Sequence, residues 1–219
     1  MYKRIFSLVL LILFASIALT ADFSTPTGRV KDSIEKVISI LKDKALDRES
    51  KWQRIATVIK SGFDFRSMSQ SVLATNWQKA SPEEQQQFTE YFTQYIEATY
   101  RAKIEAYTDE KVVYKEETVK GDRASVDTLI VTSTTEIPVT FKLKNNGGEW
   151  YAYDVVIEGI SLVSNYRTTF AAIVKNEGMD GLLSNIQSRI DKYKADQAAG
   201  GGGKVPDTTK TSTATVTKG

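Results

Sequence analysis

The sequence has 219 residues, of which 41% are hydrophobic, and this is enough apolar surface for one domain or for two small packed ones. It contains no cysteine and no histidine, which excludes disulfides, thiolate metal sites and every catalytic triad that uses histidine. Its 29 basic and 27 acidic side chains give a net charge of only +2. We therefore expect no nucleic-acid partner, since such proteins carry a strongly basic surface.

The first 21 residues have the layout of a secretory signal peptide. Lys3 and Arg4 precede an apolar run over residues 5–19, and the chain turns polar at Asp22. The apolar run is shorter than the roughly 20 residues that span a membrane. We therefore expect cleavage near residue 21, with a retained membrane anchor as the alternative. Cleavage would remove two basic residues and leave 27 basic and 27 acidic side chains.

The first half of the remaining chain has the three- and four-residue apolar spacing of helices. This spacing predicts helices over 27–44 and 47–60, and a short helix that Asp64 caps. Ser81 is followed by a proline and two glutamates, a strong helix start that predicts a long helix to about residue 106. The face of that helix is unusually aromatic, which favours a site where rings meet both apolar and polar groups.

From Lys111 the period changes to two, which is typical of strands. Strands are predicted from Lys111 to the turn at 120–122 and over 123–133, 137–144 and 149–157. Short turns join them, so the sequence predicts a four-stranded antiparallel meander. Pro138 lacks a donor N–H, so the third strand should lie at an edge of the sheet or contain the proline near its start.

The last strand leads directly into a helix. Gly159 breaks the strand, and Ser161 can cap a helix over 161–176. Gly178 then predicts a break before a final helix over 180–197. Residues 198–219 begin with a glycine run and continue in low-complexity order, so we expect a disordered tail.

Two charges lie at this corner between strand and helix. Asp154 sits in an apolar strand, and an unpaired buried carboxylate is costly. Arg167 is the nearest cation on the adjoining helix. We expect a structural ion pair between them, with an anionic ligand group such as a phosphate bound to Arg167 as the alternative.

On these residues the chain resembles the MlaC family, the periplasmic phospholipid-binding, toluene-tolerance components of a lipid ABC transport system. The resemblance covers about residues 27–195, and it is carried by Phe63-Asp64-Phe65 with the run Met68 to Leu73, Trp77 with Ser81 to Glu84, and the block from Trp150 to Val163 followed by Asn165-Tyr166-Arg167 and Phe170. Ala74 departs from the family pattern, which often has glycine there.

The resemblance implies an α+β fold with a curved antiparallel sheet, about six covering helices and a deep apolar cavity. It also implies a carrier in the periplasm of a Gram-negative cell that moves glycerophospholipid between two complexes and so maintains outer-membrane lipid asymmetry. One complex is an inner-membrane ABC transporter with its membrane-anchored substrate-binding subunit, and the other contains an outer-membrane lipoprotein. The expected domains are a signal peptide over 1–21, a lipid-binding domain over 22–197 and the tail.

A carrier of this kind needs a sheltered apolar interior and no bond chemistry. Two acyl chains carry about 30 methylenes at about 0.8 kcal/mol each, so they must stay covered in water. We expect no catalytic residue, no metal and no cofactor besides the lipid cargo. The candidate lining residues, each equally compatible with an ordinary core position, are Phe65, Met68, Val72, Leu73, Phe92, Tyr95, Ile96, Tyr153, Val155, Ile160, Val163 and Tyr166.

Two other functions remain open from the residues. One is an isomerase-like enzyme on a lipid or steroid-like substrate, in a fold similar to nuclear transport factor 2, with Asp154 as base beside Tyr151 and Tyr153. Neighbouring strand residues point to opposite faces, which counts against it. The other is an exported interaction module without a pocket.

Overall fold

The structure is a computed structural model that describes residues 23–107 and 109–198. The predicted signal peptide and nearly all of the predicted tail lie outside the described residues. The elements are α1 (Pro26–Lys42), α2 (Arg48–Gly62), α3 (Phe65–Leu73), α4 (Thr75–Lys79), α5 (Pro82–Glu105), β1 (Lys111–Lys120), β2 (Arg123–Val131), β3 (Glu136–Asn146), β4 (Glu149–Ile157), β5 (Ile160–Ser161) and α6 (Leu162–Ala198). None of the described helices combines the length and apolar character needed to cross a membrane.

The helices begin where the sequence places capping residues. The Asp47 side chain accepts hydrogen bonds from two backbone N–H groups of α2 at 2.9 Å, and Asp64 accepts one from Ser67 at the start of α3. Ser81 and Glu84 form the predicted reciprocal capping box at the start of α5. These caps satisfy N–H groups that a helix cannot pair internally. Only the short α4 was not predicted.

The sheet is an antiparallel meander in which the strands lie in chain order. It has five strands rather than four, because Glu158 and Gly159 form a tight turn with φ of 50° and 82° and return the two-residue β5 along β4. Pro138 lies near the start of β3, which is a central strand, so of the two predicted positions the start of the strand is the observed one.

The helices cover one face of this sheet. Val139 and Leu143 on β3 point to the same side because they are four residues apart. Val139 packs in an apolar cluster with α3, α5 and α6, whereas Leu143 packs in a second cluster with Val30 of α1. The main core therefore lies between one end of the sheet and the helices α3, α5 and α6.

The predicted break at Gly178 is present as a kink inside α6. Gly178 has φ 72° and ψ −172°, a backbone conformation that strongly favours glycine. The kink divides α6 into a first part that follows β5 and a second part that continues to Ala198. Residues from both parts belong to the main core.

Candidate functional site

The main core is almost entirely apolar and rich in aromatic rings. We call its buried members the interior cluster: Phe65, Met68, Val72, Leu73, Trp77, Phe88, Phe92, Tyr95, Ile96, Val139, Val155, Leu162, Val163, Tyr166, Phe170, Leu182, Leu183, Ile186 and Ile190. The helices α3, α5 and α6 supply most of these side chains, and β3 and β4 supply one each. The cluster is thus an apolar volume enclosed between a helical layer and the sheet.

The aromatic rings at the centre of the interior cluster pack against each other. The Phe92 ring centroid lies 5.4 Å from that of Tyr166 and 5.9 Å from that of Phe170, both edge to face. Tyr95 and Tyr166 are 5.6 Å apart, and Phe88 stacks on Phe92 at 5.5 Å. These are favourable separations for aromatic pairs, so the rings fill this part of the interior.

The structure brings together every predicted lining residue except Tyr153 and Ile160. The Tyr153 ring instead lies under the guanidinium of Arg123, with the Arg123 Cζ 4.7 Å from its centroid. A register shift between Lys142 and Leu143 leaves Tyr153 as an extra residue in β4, which changes the alternation of its side chains. Ile160 is 45% exposed because it follows the tight turn into the outermost strand.

Two depressions lie elsewhere on the surface of the described residues. A groove of about 630 Å³ runs between α5 and the second part of α6, and a smaller one of about 340 Å³ lies along α2. The larger groove is lined by Gln87, Tyr91, Asp180, Leu183, Ser184, Gln187, Ser188 and Asp191. None of the predicted lining residues borders either groove. A deep apolar cavity therefore stays a prediction, and its predicted walls contact one another in this structure.

Asp154 is 3% exposed and has three partners, none of which is Arg167. Its carboxylate accepts a hydrogen bond from the Ser161 hydroxyl at 2.7 Å and one from the Val163 backbone N–H at 3.1 Å. Its ion-pair partner is Lys142, whose Nζ lies 3.5 Å away. Asp154 therefore links β4 to the first turn of α6. A carboxylate is stabilised there by the positive end of the helix dipole.

The prediction of an ion pair between Asp154 and Arg167 is wrong. Lys142 lies directly opposite Asp154 in the β3–β4 register, so the sheet brings this cation to the carboxylate. Arg167 is exposed, and its Nε donates to the carbonyl oxygen of Ser71 at 2.8 Å, in the last turn of α3. An arginine there interacts favourably with the unpaired carbonyls at a helix C-terminus.

The side chains of the enzyme alternative do not converge. The Tyr151 hydroxyl donates to Glu149 at 2.6 Å, and the Tyr153 ring packs on Arg123. Within residues 23–107 and 109–198, no group of three or more acidic side chains is placed to hold a metal ion.

The predicted lining residues Tyr95 and Tyr166 belong to a larger set of polar side chains at the junction of α5 and α6, and sequence reasoning did not predict this grouping. We call this set the polar seam, and it consists of Tyr95, Thr99, Tyr100, Tyr166, Arg189 and Tyr193. Burial raises the pKa of Tyr166 far above its usual value, and the nearby Tyr100 and Tyr95 raise it further. Burial also raises the pKa of Tyr100, and it raises that of Tyr193 to about 12. The tyrosine hydroxyls of the polar seam with raised pKa values therefore stay protonated and neutral near pH 7 and can donate hydrogen bonds.

A signal for the polar seam was present in the sequence. Tyr95 and Thr99 are four residues apart, so they are neighbours on one face of α5, and Tyr100 follows directly after Thr99. Sequence reasoning recognised that the tyrosines of this face need polar partners, but it did not identify Thr99 or Arg189 among those partners.

A profile of the family described as MlaC protein matches residues 31–188 of the chain. The chain is 26% identical over 203 residues to "Toluene tolerance protein ttg2D" from Pseudomonas putida, an alignment that covers 87% of this chain and 92% of that protein. It is 25% identical over 122 residues to "Intermembrane phospholipid transport system binding protein MlaC" from Haemophilus influenzae, covering 53% of this chain and 57% of that one.

A solved structure shares the fold. It is a phospholipid-binding protein from Ralstonia solanacearum, determined in complex with a phospholipid, with a TM-score of 0.69. The superposition covers 76% of this chain and 97% of that one at 23% sequence identity.

Proposed function

The chain belongs to the MlaC family, and we propose that it is a periplasmic carrier of glycerophospholipid. In this proposal a cleaved signal peptide exports the chain, and the mature protein exchanges lipid with an inner-membrane ABC transporter complex and an outer-membrane lipoprotein complex. The traffic maintains the lipid asymmetry of the outer membrane. The protein acts by binding and release, without bond chemistry.

The observation that carries the proposal is the interior cluster. It is an apolar, aromatic-rich volume with a helical layer on one side and the sheet on the other. Acyl chains in this volume would exchange contact with water for contact with aliphatic and aromatic side chains, a transfer worth about 0.8 kcal/mol for each methylene. The solved phospholipid complex with the same fold adds support for lipid as the cargo.

The chains would enter between the helices and the sheet. Only Val139 and Val155 of the sheet belong to the interior cluster, whereas its other members lie on helices. Four further side chains of the sheet, Ile130, Ile137, Phe141 and Ile157, pack against the cluster but are only partly buried, so the contact between the two layers is a more exposed part of the interior than its helical centre. Separation there exposes the edge-to-face rings of α5 and α6 to the incoming chains.

The test is to purify the exported protein under mild conditions and to identify bound lipid by native mass spectrometry and solvent extraction. We expect stoichiometric glycerophospholipid. Purified protein that carries no lipid and takes none from vesicles of phosphatidylethanolamine and phosphatidylglycerol would contradict the proposal.

A paired substitution locates the site. Val163→Trp places a large ring inside the interior cluster, where Val163 is 5% exposed, and should reduce lipid loading while the protein still shows a cooperative thermal transition. The control is Val113→Trp on β1, where the side chain is exposed. Equal loading of both variants would remove Val163 from the lining.

Because the side chains of the interior cluster pack against one another, an exported interaction module without a pocket is a second candidate function. The larger groove between α5 and α6 offers such a module a surface lined by both polar and apolar side chains. The same mass-spectrometric experiment separates the two functions, because a module of this kind takes up no lipid from vesicles.

A further inference from the structure

The sheet has a second face that the helices leave uncovered. Residues of β2 and β3 alternate between the two faces, so Ala124 and Leu143 point towards the helices and their neighbours point away. We call the second face the open face, and on these strands it is formed by every second residue of 123–131 and of 136–144. Among the described residues, none of the three apolar clusters includes a side chain from it.

A row of three cations crosses the open face beside the turn between β1 and β2. Lys120 of β1 lies directly opposite Arg123 of β2, and Arg123 lies directly opposite Lys144 of β3. We call these three residues the basic row. Directly opposite side chains have Cβ atoms about 5 Å apart, so the basic row places three positive charges on a strip about 10 Å wide. The N–H of Asn145 donates to the carbonyl oxygen of Asp122 at 2.8 Å, which holds this end of the sheet together.

The fold itself gives little reason for this arrangement, because like charges directly opposite each other destabilise a sheet. Arg123 has partners, since its Nε lies 3.8 Å from Asp122 and its guanidinium covers the Tyr153 ring. No ion pair among the described residues involves Lys120 or Lys144. A lysine on an edge strand deters edge-to-edge pairing, which accounts for Lys120. It does not account for Lys144, because β3 is a central strand.

The neighbouring charges do not neutralise the basic row. Lys142 adds a fourth cation two residues before Lys144, and its partner is the buried Asp154. Asp127 and Glu149 each accept a hydrogen bond from a neighbouring hydroxyl, and neither forms an ion pair within the described part of the chain. The expected mature chain has equal numbers of basic and acidic side chains, so the positive charge here is local.

We propose that the basic row is a docking surface for a protein partner with an acidic surface, whose carboxylates pair with Lys120 and Lys144. The inference rests on the proposed function, which makes this partner a component of one of the two membrane complexes that exchange lipid. The basic row lies on the face opposite to Val139 and five residues along β3 from it, so docking leaves the interior cluster uncovered.

The surroundings of the basic row favour a protein over an anionic bilayer. Its nearest neighbours on the open face are Thr118, Ser125 and Lys142, so no apolar side chain beside it can insert among acyl chains. Each cation near an anionic bilayer strengthens binding only about fivefold. Charge complementarity between proteins raises the association rate more than it raises affinity. That suits a carrier, which must dock and leave.

The test measures association of the purified protein with each of the two membrane complexes in nanodiscs, by biolayer interferometry from about 25 to about 300 mM salt. Combined Lys120→Gln and Lys144→Gln should lower the association rate constant for at least one complex about fivefold at low salt. The effect should be less than twofold at high salt, because screening removes the attraction. Combined Lys120→Arg and Lys144→Arg should restore the wild-type rate, since both charges return.

Two further measurements separate docking from folding and from lipid binding. The doubly glutamine-substituted protein should melt at or above the wild-type temperature, because repulsion within the basic row is relieved. It should also carry as much lipid as the wild type, because the basic row does not contact the interior cluster. The matched control is combined Lys79→Gln and Lys175→Gln, which removes two exposed lysines of α4 and α6 and should leave the association rate unchanged.

Three results would overturn the inference while the carrier function stands on its lipid loading. These are an unchanged rate in the variant of the basic row, an equal loss in the control, and no binding of the wild type to either complex. Nanodiscs of phosphatidylethanolamine and phosphatidylglycerol without a complex are the fourth probe. If they bind the wild type as fast and lose the same factor, the basic row is a bilayer site and not a protein site. A wild type without lipid would instead contradict the proposed function.

Discussion

Replacing Ala74 with glycine should stabilise the protein. Ala74 joins α3 to α4 with φ 50° and ψ −120°, a conformation in which a Cβ atom is strained. Its backbone is fixed there by two hydrogen bonds, from its N–H to Gln70 and from the N–H of Trp77 to its carbonyl. Relief of this strain is worth about 1–3 kcal/mol, and the greater freedom of glycine in the unfolded chain takes back about 0.5–1 kcal/mol. We expect a net gain of about 1 kcal/mol, or about 2–4 °C in melting temperature for a chain of this size.

Differential scanning calorimetry and urea titration at the same pH measure the change. Ala171→Gly is the control, since Ala171 is exposed within α6 and the same substitution in a helix interior should destabilise by about 1 kcal/mol. Opposite signs for the two substitutions would establish that backbone conformation decides the outcome. A loss of stability in Ala74→Gly would refute the strain argument, because the strain would then be smaller than the roughly 0.5–1 kcal/mol by which the freedom of glycine favours alanine.

Three further substitutions test other parts of the fold. Asp154→Ala should cost about 2–4 kcal/mol in urea titration, because it leaves the Val163 N–H and other donors unpaired, and a smaller loss would show that water replaces the carboxylate. Burial alone would raise the pKa of Glu105, but hydrogen bonds from Arg48 and Arg101 hold it below its usual value of 4.5. Glu105 therefore stabilises the fold above that value and loses this effect as the pH falls through the lowered pKa, so Glu105→Gln should lower the melting temperature near pH 7 but not in strong acid. Gly178→Ala should cost about 1–3 kcal/mol from backbone strain alone, since a Cβ there meets no atom within 4 Å; unchanged stability in calorimetry would contradict this.

Local chemistry determined most of the elements, and for this reason the sequence predicted them. Capping residues such as Ser81 and breakers such as Gly178 act within a few residues, so their effect can be read without a structure. The two-residue β5 escaped prediction because it is too short to show alternation and depends on the turn at Glu158 and Gly159. The extra residue Tyr153 in β4 likewise depends on pairing with β3, which sequence period does not encode.

The partner of Asp154 could not be predicted from local sequence, because strand register determines it. Proximity along the chain favoured Arg167, but strand register placed Lys142 opposite the carboxylate and α6 offered it a free N–H group. The grouping of residues in the polar seam was not predicted from the sequence for a related reason. Its members come from residues 95–100 and 166–193, and only the packing of α5 on α6 brings their hydroxyls together.

A permanently empty apolar cavity large enough for a lipid would be costly for a protein of this size. An empty, dry cavity of about 600 Å³, within the usual range for ligand sites, would cost about 14 kcal/mol at about 24 cal/mol per Å³. That is as large as the whole stability of most domains, about 5–15 kcal/mol. A carrier of this size therefore gains by keeping such a volume filled, by lipid or by side chains, and the rings of Phe92, Tyr166 and Phe170 pack against one another in the interior cluster. If the carrier proposal holds, the acyl chains replace these ring contacts, so binding and opening are one event and the loaded protein melts at a higher temperature than the empty one.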